Sequence, residues 1–133
     1  MPKLLSLKEF SQGKWSFIVY HHDKVIFRSQ ASDLKPVIAY KKRFGKKHKK
    51  LIVYDKIVGR ATALLLVLLK PAKVLTPLAS QGGVFVLKKY KIKFDALKTA
   101  KYLMGVASGQ MCQWEKLAQK KTPLSFWNLV KKL

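Results

Sequence analysis

An α/β fold built on a mixed sheet is what this chain predicts, and three observations carry that expectation. Two runs rich in aromatic and β-branched residues, WSFIVY (15–20) and VIFRS (25–29), flank His21-His22-Asp23-Lys24 and read as a β-hairpin. Beyond the hairpin, helical and strand patterns alternate, the order of a layered α/β protein. The stretch LIVYDKIVGRATALLLVLL (51–69) is a buried strand meeting an Asp-Lys pair and then a long apolar helix. Right-handed crossovers would place helices on both faces, giving a three-layer α/β/α arrangement.

The elements follow in order. Residues 4–10 suit a short helix stopped by Gly13. After the hairpin, Ser32 or Asp33 is placed to cap a helix with Pro36 in its first turn and Gly45 at its end. Val37, Tyr40 and Phe44 recur at helical spacing and face the core. A strand is expected over 51–54, a helix over 57–70 before Pro71, a strand over 73–76, a helix over 84–90 and a strand over 92–95. Residues 96–104 favour helix by propensity, 105–109 form a loop, and helices cover 111–120 and 124–133. Leu124, Trp127, Leu129 and Val130 beside Lys131-Lys132 suit docking of that last helix on the domain, or homo-oligomer formation.

Composition bounds the function. The 133 residues suit one domain, 1–133, with a real core. MPKLLSLKEFSQGKW has no sustained apolar run and no small-residue cleavage site, so no secretion signal is expected. The uninterrupted apolar stretch, 61–69, is far short of the ~20 residues that span a bilayer, so no membrane partner is expected. A single cysteine excludes an internal disulfide framework and fits a cytoplasmic setting. The formal charge is +22, from 28 Lys+Arg against 6 Asp+Glu. Its densest part is KKRFGKKHKK, where Lys41, Lys42, Arg43, Lys46, Lys47, Lys49 and Lys50 form a candidate nucleic-acid surface. The other reading of these charges is a solvated face, and no recognition-module motif accompanies them.

LIVYDKIVGRATALLLV resembles the signature A-D-K-x-x-G-[KR]-A-A-A-L-L of the domain of unknown function 1893 family. MCQWEK resembles that family's C-P-x-E segment, with Gln113 where Pro is usual and Trp114 where Met is common. The hairpin, the Lys35-Pro36 helix start and Ser80 fall in matching order, so the resemblance covers roughly residues 10–117. It implies a cytidine deaminase-like fold. Zinc deaminases hold their metal with a His or Cys plus a Pro-Cys-x-x-Cys turn, and a separate Glu moves the proton. At the matching places this chain has Ser32-Asp33-Leu34-Lys35-Pro36 and Asp55-Lys56-Ile57-Val58-Gly59. A lone cysteine cannot supply two thiolates. No metal and no cofactor are therefore expected, and His21, His22 and His48 read as surface residues.

The edge where strand meets helix remains the candidate site. In open α/β sheets ligands bind there, beside helix N-termini that favour anions. Lys56 could hold a phosphate or carboxylate, Asp55 could accept a ribose hydroxyl or act as a base, and Gly59 would allow close approach. Equally, Asp55 could cap the helix while Lys56 points to water. Cys112 and Glu115 share a helical face; a dipole-lowered thiol is one reading of Cys112, and a small buried hydrophobe is the other. Ser80, in Ser80-Gln81-Gly82-Gly83, either helps line a pocket or turns a strand into a helix. The family resemblance implies that the Cys112–Glu115 segment folds over the Asp55-Lys56 edge. The expectation is thus a small anionic or nucleotide-like ligand bound at Asp55, Lys56, Gly59, Ser80, Cys112 and Glu115. Whether a reaction follows is open. Nucleic-acid binding through the basic surface, or a structural subunit, are the alternatives.

Overall fold

The computed structural model describes residues 4–101 and 113–132. Helix α1 (Leu7–Gln12) opens the described chain. Ser6 and Glu9 form a reciprocal capping box that satisfies two of its free N–H groups. Strands β1 (Phe17–His21) and β2 (Lys24–Ser29) pair antiparallel. His22 and Asp23, both at positive φ, supply the two-residue turn whose twist suits a hairpin. Helix α2 (Lys35–Phe44) begins on Leu34, which makes no side-chain cap, so neither Ser32 nor Asp33 fills that role. It ends at Gly45, whose φ of +57° is the left-handed conformation glycine tolerates.

Strand β3 (Ile52–Asp55) pairs antiparallel with β1 and parallel with β5 (Lys73–Ser80). Beyond Lys56 a two-residue strand, β4 (Ile57–Val58), pairs with the same β5. Tyr54 lies opposite Leu75 and Ile57 opposite Leu78, so the register does not shift across the gap. The two strands form one interrupted line, and the interruption at Lys56 falls opposite Pro77. Proline has no N–H to donate, so a ladder bond is missing there. The N–H of Lys56 faces the other neighbour, β1, and donates to the Ser16 carbonyl, at 3.0 Å. The Thr76 hydroxyl closes the other side of the defect: its Oγ1 accepts from the Leu78 N–H (3.2 Å) and donates to the Leu78 carbonyl (2.9 Å). The helix expected over 57–70 therefore starts later, as α3 (Arg60–Leu69).

Helix α4 (Gln81–Lys89) leaves β5 without a loop, and β6 (Phe94–Ala100) returns parallel to β5. The 96–100 segment is a strand, because pairing along β5 outweighs its helical propensity. Helices α5 (Gln113–Ala118) and α6 (Pro123–Val130) follow. The loop expected over 105–109, with Met111 and Cys112, lies outside the described residues.

Across the sheet the order is β2, β1, β3/β4, β5, β6. From β3 to β5 to β6 the chain advances in one direction. Right-handed crossovers then put α3 and α4 on the same face, where they pack together. Helix α3 is buried nearly all round, between α2, α4, α5 and α6, which explains why its sequence is apolar without spanning anything. Among the described residues no helix is long and apolar enough to cross a membrane. The opposite face is thinly covered: α1 lays Phe10 over Ile18, Tyr20 and Tyr54. Helices are thus unequally divided between the faces. Helix α6 docks on α3 through the buried Phe126 and Val130.

Candidate functional site

A cavity of about 600 Å³ opens where β3 and β4 meet the start of α3. That volume suits a small organic ligand, in the ~300–1,000 Å³ range of such sites. Its walls come from the end of β3 and the residue after it (Asp55, Lys56), the strand–helix junction (Ile57, Gly59, Ala61, Thr62), Ser16 before β1, the segment after β2 into α2 (Gln30 to Leu34, Pro36), β5 and β6 near their ends (Leu78, Ala100), and α5 (Trp114, Glu115). It lies at the carboxyl ends of parallel strands, where open α/β sheets collect ligands.

Asp55 is buried, 7 % exposed. Burial pushes its carboxyl well above the usual carboxylate range. The N–H groups of Ile57 and Lys56 pull the other way, the former from 3.5 Å, and do not compensate. No cation among the described residues faces it. The side chain is therefore biased toward its neutral form, which offers both a donor and an acceptor.

Glu115 reaches the site from α5. It is 5 % exposed, and its Oε1 accepts from the Arg60 N–H, the first of α3. Helix α3 has no capping side chain of its own, since its N-cap is Gly59. A carboxylate from a distant segment thus satisfies one free N–H and faces the positive end of the dipole. Asp55 does not cap this helix, because β4 separates them. The N–H groups of residues 57–59 belong to strand and junction, so they form no helix N-terminus beside Asp55 and Lys56.

Lys56 lines the cavity, but its ammonium is engaged elsewhere. Nζ donates to the carbonyls of Ser11 (3.0 Å) and Gly13 (2.8 Å) at the end of α1, and sits 5.4 Å from the Phe10 ring centroid. It fastens α1 to the sheet. Ser80 is fully buried and caps α4, accepting from the Gly83 N–H at 2.9 Å; it is not among the cavity walls. Gly59 does line the cavity, at ordinary extended φ and ψ. The close approach belongs to Gly83, where an added Cβ would meet the Val58 carbonyl oxygen at 2.5 Å. Of the expected set, Asp55, Lys56, Gly59 and Glu115 converge on the cavity, Ser80 does not, and Cys112 lies outside the described residues.

Asp33, Gln30, Ser16, Thr62 and Trp114 were not read as site residues from sequence. Asp33 carries one signal, an acid beside the Lys35-Pro36 helix start, and Trp114 another, its place in MCQWEK beside Glu115; Gln30, Ser16 and Thr62 carry none. The metal-binding donor set of a zinc deaminase does not fit here: the described cavity walls contain carboxylates but neither His nor Cys. Nor, among the described residues, does any group of three or more His, Cys, Asp or Glu side chains form a metal cluster. His21, His22 and His48 do gather at the hairpin tip, with ring centroids 4.0 Å (His21–His22) and 4.6 Å (His21–His48) apart.

The expected basic surface is split by the fold. Lys41 lies over the Trp127 ring, 5.2 Å from its centroid, with its pKa lowered by burial and by Lys46. Lys42, Arg43, Lys46, Lys47, Lys49 and Lys50 are exposed at the end of α2 and on the turns beyond it.

Fold and cavity together define an α/β protein with helices packed on a mixed sheet and a cavity of about 600 Å³ at the strand ends. The chain belongs to the DUF1893 family: the family model, described as a domain of unknown function, matches residues 6–133. It is similar to the crystal structure of a DUF1893 family protein, TM1506, from Thermotoga maritima. The two share 29 % sequence identity at a TM-score of 0.85, over 95 % of this chain and 85 % of that one. No curated protein matches it.

Proposed function

We propose that this protein binds a small, nitrogen-rich polar molecule, nucleoside-like and uncharged or cationic, in the cavity beside Asp55. One observation carries the reading. The chain has only 6 acidic residues, and three of them, Asp33, Asp55 and Glu115, line this one cavity. In a protein of net charge +22, that makes the cavity acidic against its surroundings. The ammonium that an anionic ligand would need is held on α1. A nucleotide phosphate would therefore meet carboxylates, while an amide, amidine or amine edge would find acceptors and a carboxyl able to donate. Trp114, Ile57, Leu34 and Leu78 supply apolar walls for a flat ring.

Thermal melting with nucleosides, free bases, nucleotides and sugar phosphates tests this. Nucleosides or bases should raise the melting temperature at high salt, and Asp55→Ala should abolish the rise. Stabilisation confined to phosphate-bearing compounds and retained in Asp55→Ala would refute the proposal.

A further inference from the structure

A second feature lies at the tip of the hairpin and shares no residue with the cavity walls. All three histidines of the chain gather there. His21 ends β1 and His22 opens the turn, while His48 comes from the segment between α2 and β3. The His21 ring makes both contacts, 4.0 Å from the His22 centroid and 4.6 Å from that of His48. His48 in turn meets the Phe44 ring, in the last turn of α2, at 5.5 Å. A row of rings, Phe44, His48, His21 and His22, thus ties the segment after α2 to the hairpin tip.

The backbone of that segment is held lightly. It runs from Gly45 to Lys50, both at a φ of +57°, before the buried Leu51 rejoins the core. Within it the Lys47 N–H donates to the Phe44 carbonyl at 3.0 Å, a bond back to α2 and not to the sheet. Lys46, Lys47, Lys49 and Lys50 are exposed, and His48 is half-buried. The ring contact from His48 to His21 is therefore what joins this stretch to the hairpin.

Such a contact depends on the rings being uncharged. Around them the turn brings Asp23 and Lys24, with Lys24 opposite His21 in the strand register. The end of α2 brings Arg43, and the segment brings its four lysines. Glu9 on α1 acts on Tyr20 and Tyr54, but does not act on His21. One acid thus stands among six cations, and imidazolium rings this close repel one another in that field. Burial, then His22 and His48, pull the His21 pKa down. A base whose folded-state pKa lies below its unfolded value gives a contact that is full above the unfolded value, about 6.5. The contact is lost as pH falls below that.

We propose that the three histidines form a proton-operated catch: uncharged they hold residues 45–50 on the hairpin tip, and protonated they release them. Release would move Lys46, Lys47, Lys49 and Lys50 as a group, so pH would set the place of the densest basic run and leave the cavity walls unchanged.

The test is hydrogen exchange of the full chain at about pH 7.5 and about pH 5.5, on either side of the ordinary imidazole value, with rates corrected for intrinsic exchange. Exchange over residues 45–50 should quicken by about threefold or more at the lower pH, while that of α3 stays unchanged. His21→Phe/His48→Phe keeps the ring contacts and cannot take up a proton, so its segment should stay protected at both pH values. His48→Ala removes the tie, and its segment should exchange fast at both. Equal corrected exchange at the two pH values in wild type would overturn the proposal. So would quickening that persists in the phenylalanine pair, or that spreads equally to α3 as general acid unfolding. Imidazole proton resonances of wild type against pH keep the proposal open to refutation if the phenylalanine pair fails to fold. His21 should titrate below the value it shows in urea, and titration at or above that value would overturn it.

Discussion

Gly82 and Gly83 are neighbours in the first turn of α4, yet alanine should act on them in different ways. An alanine Cβ at Gly83 would stand 2.5 Å from the Val58 carbonyl oxygen, 3.1 Å from the Gly59 carbonyl carbon and 3.2 Å from its oxygen. All three are backbone atoms of a strand end paired to β5, so none can swing aside. Either α4 lifts off the sheet or the 58–59 segment shifts. Such overpacking costs about 1–3 kcal/mol, and rigid neighbours place this site toward the upper end. Replacing glycine in a helix recovers at most about 1 kcal/mol. The net expectation for Gly83→Ala is a loss of about 1–2 kcal/mol, or a melting temperature lower by about 3–8 °C. At Gly82 the Cβ would meet only the Arg60 side chain, at 3.1–3.4 Å. A side chain can move, so Gly82→Ala should stay within about 0.5 kcal/mol of wild type. Urea and thermal unfolding of the two variants measure both values. Gly83→Ala as stable as wild type, or two equal losses, would refute the claim that α4 seats directly on the strand end bounding the cavity.

Two further expectations concern the site itself. Asp55 has a folded-state pKa raised above its unfolded value, so the folded chain holds that proton more tightly. Its contribution to stability is then full below the unfolded pKa and is lost as pH rises toward the raised folded value. Asp55→Asn should remove this loss, making the protein more stable at neutral pH and flattening the rise in urea midpoint that Asp55 is expected to give on acidification; a variant less stable than wild type at neutral pH would contradict it. Lys56→Ala removes two charged hydrogen bonds from the end of α1 and should cost about 2 kcal/mol. Hydrogen exchange should then quicken over residues 7–12 while nucleoside-induced stabilisation persists.

How much of this was legible in the sequence varies by element, for physical reasons. The β1–β2 hairpin was, because its residues are aromatic and β-branched and its turn is short. The strand–helix junction was legible in kind but not in position. Where β4 ends depends on the partner strand, and nothing around Lys56 reveals that Pro77 lies opposite it. Residues 96–100 are helix formers by propensity and strand by pairing, a choice that only the neighbouring β5 decides. For the site, Asp55, Lys56 and Gly59 could be singled out because a polar pair and a glycine interrupt an apolar run, and Glu115 because it shares a helical face with Cys112 in a segment resembling the family's C-P-x-E. What each side chain touches could not. The partner of Lys56 is 43 to 45 residues away, and that of Glu115 is 55. Ser80 looked equally suited to lining a pocket or capping a helix; the direct passage from β5 into α4 decided for the cap.

The charge distribution ties these observations together. A chain with 28 basic and 6 acidic residues has few carboxylates with which to neutralise its surface. Three of the six are spent on a single cavity, one of them with its pKa raised by burial and another turned onto a helix N-terminus. Stability alone gives little reason for that. Burying a carboxyl without a cation costs free energy, and Asp95, which pairs with Lys73, remains exposed. Concentrating acids in the cavity makes sense if the cavity must refuse the anions that the rest of the surface attracts. Without those carboxylates, a polyanion end or a free phosphate drawn in by the surrounding field would compete for the site. With them the cavity turns anions away, so a variant neutral at Asp33 and Glu115 should gain affinity for nucleotides, read as a larger rise in melting temperature with them than wild type shows.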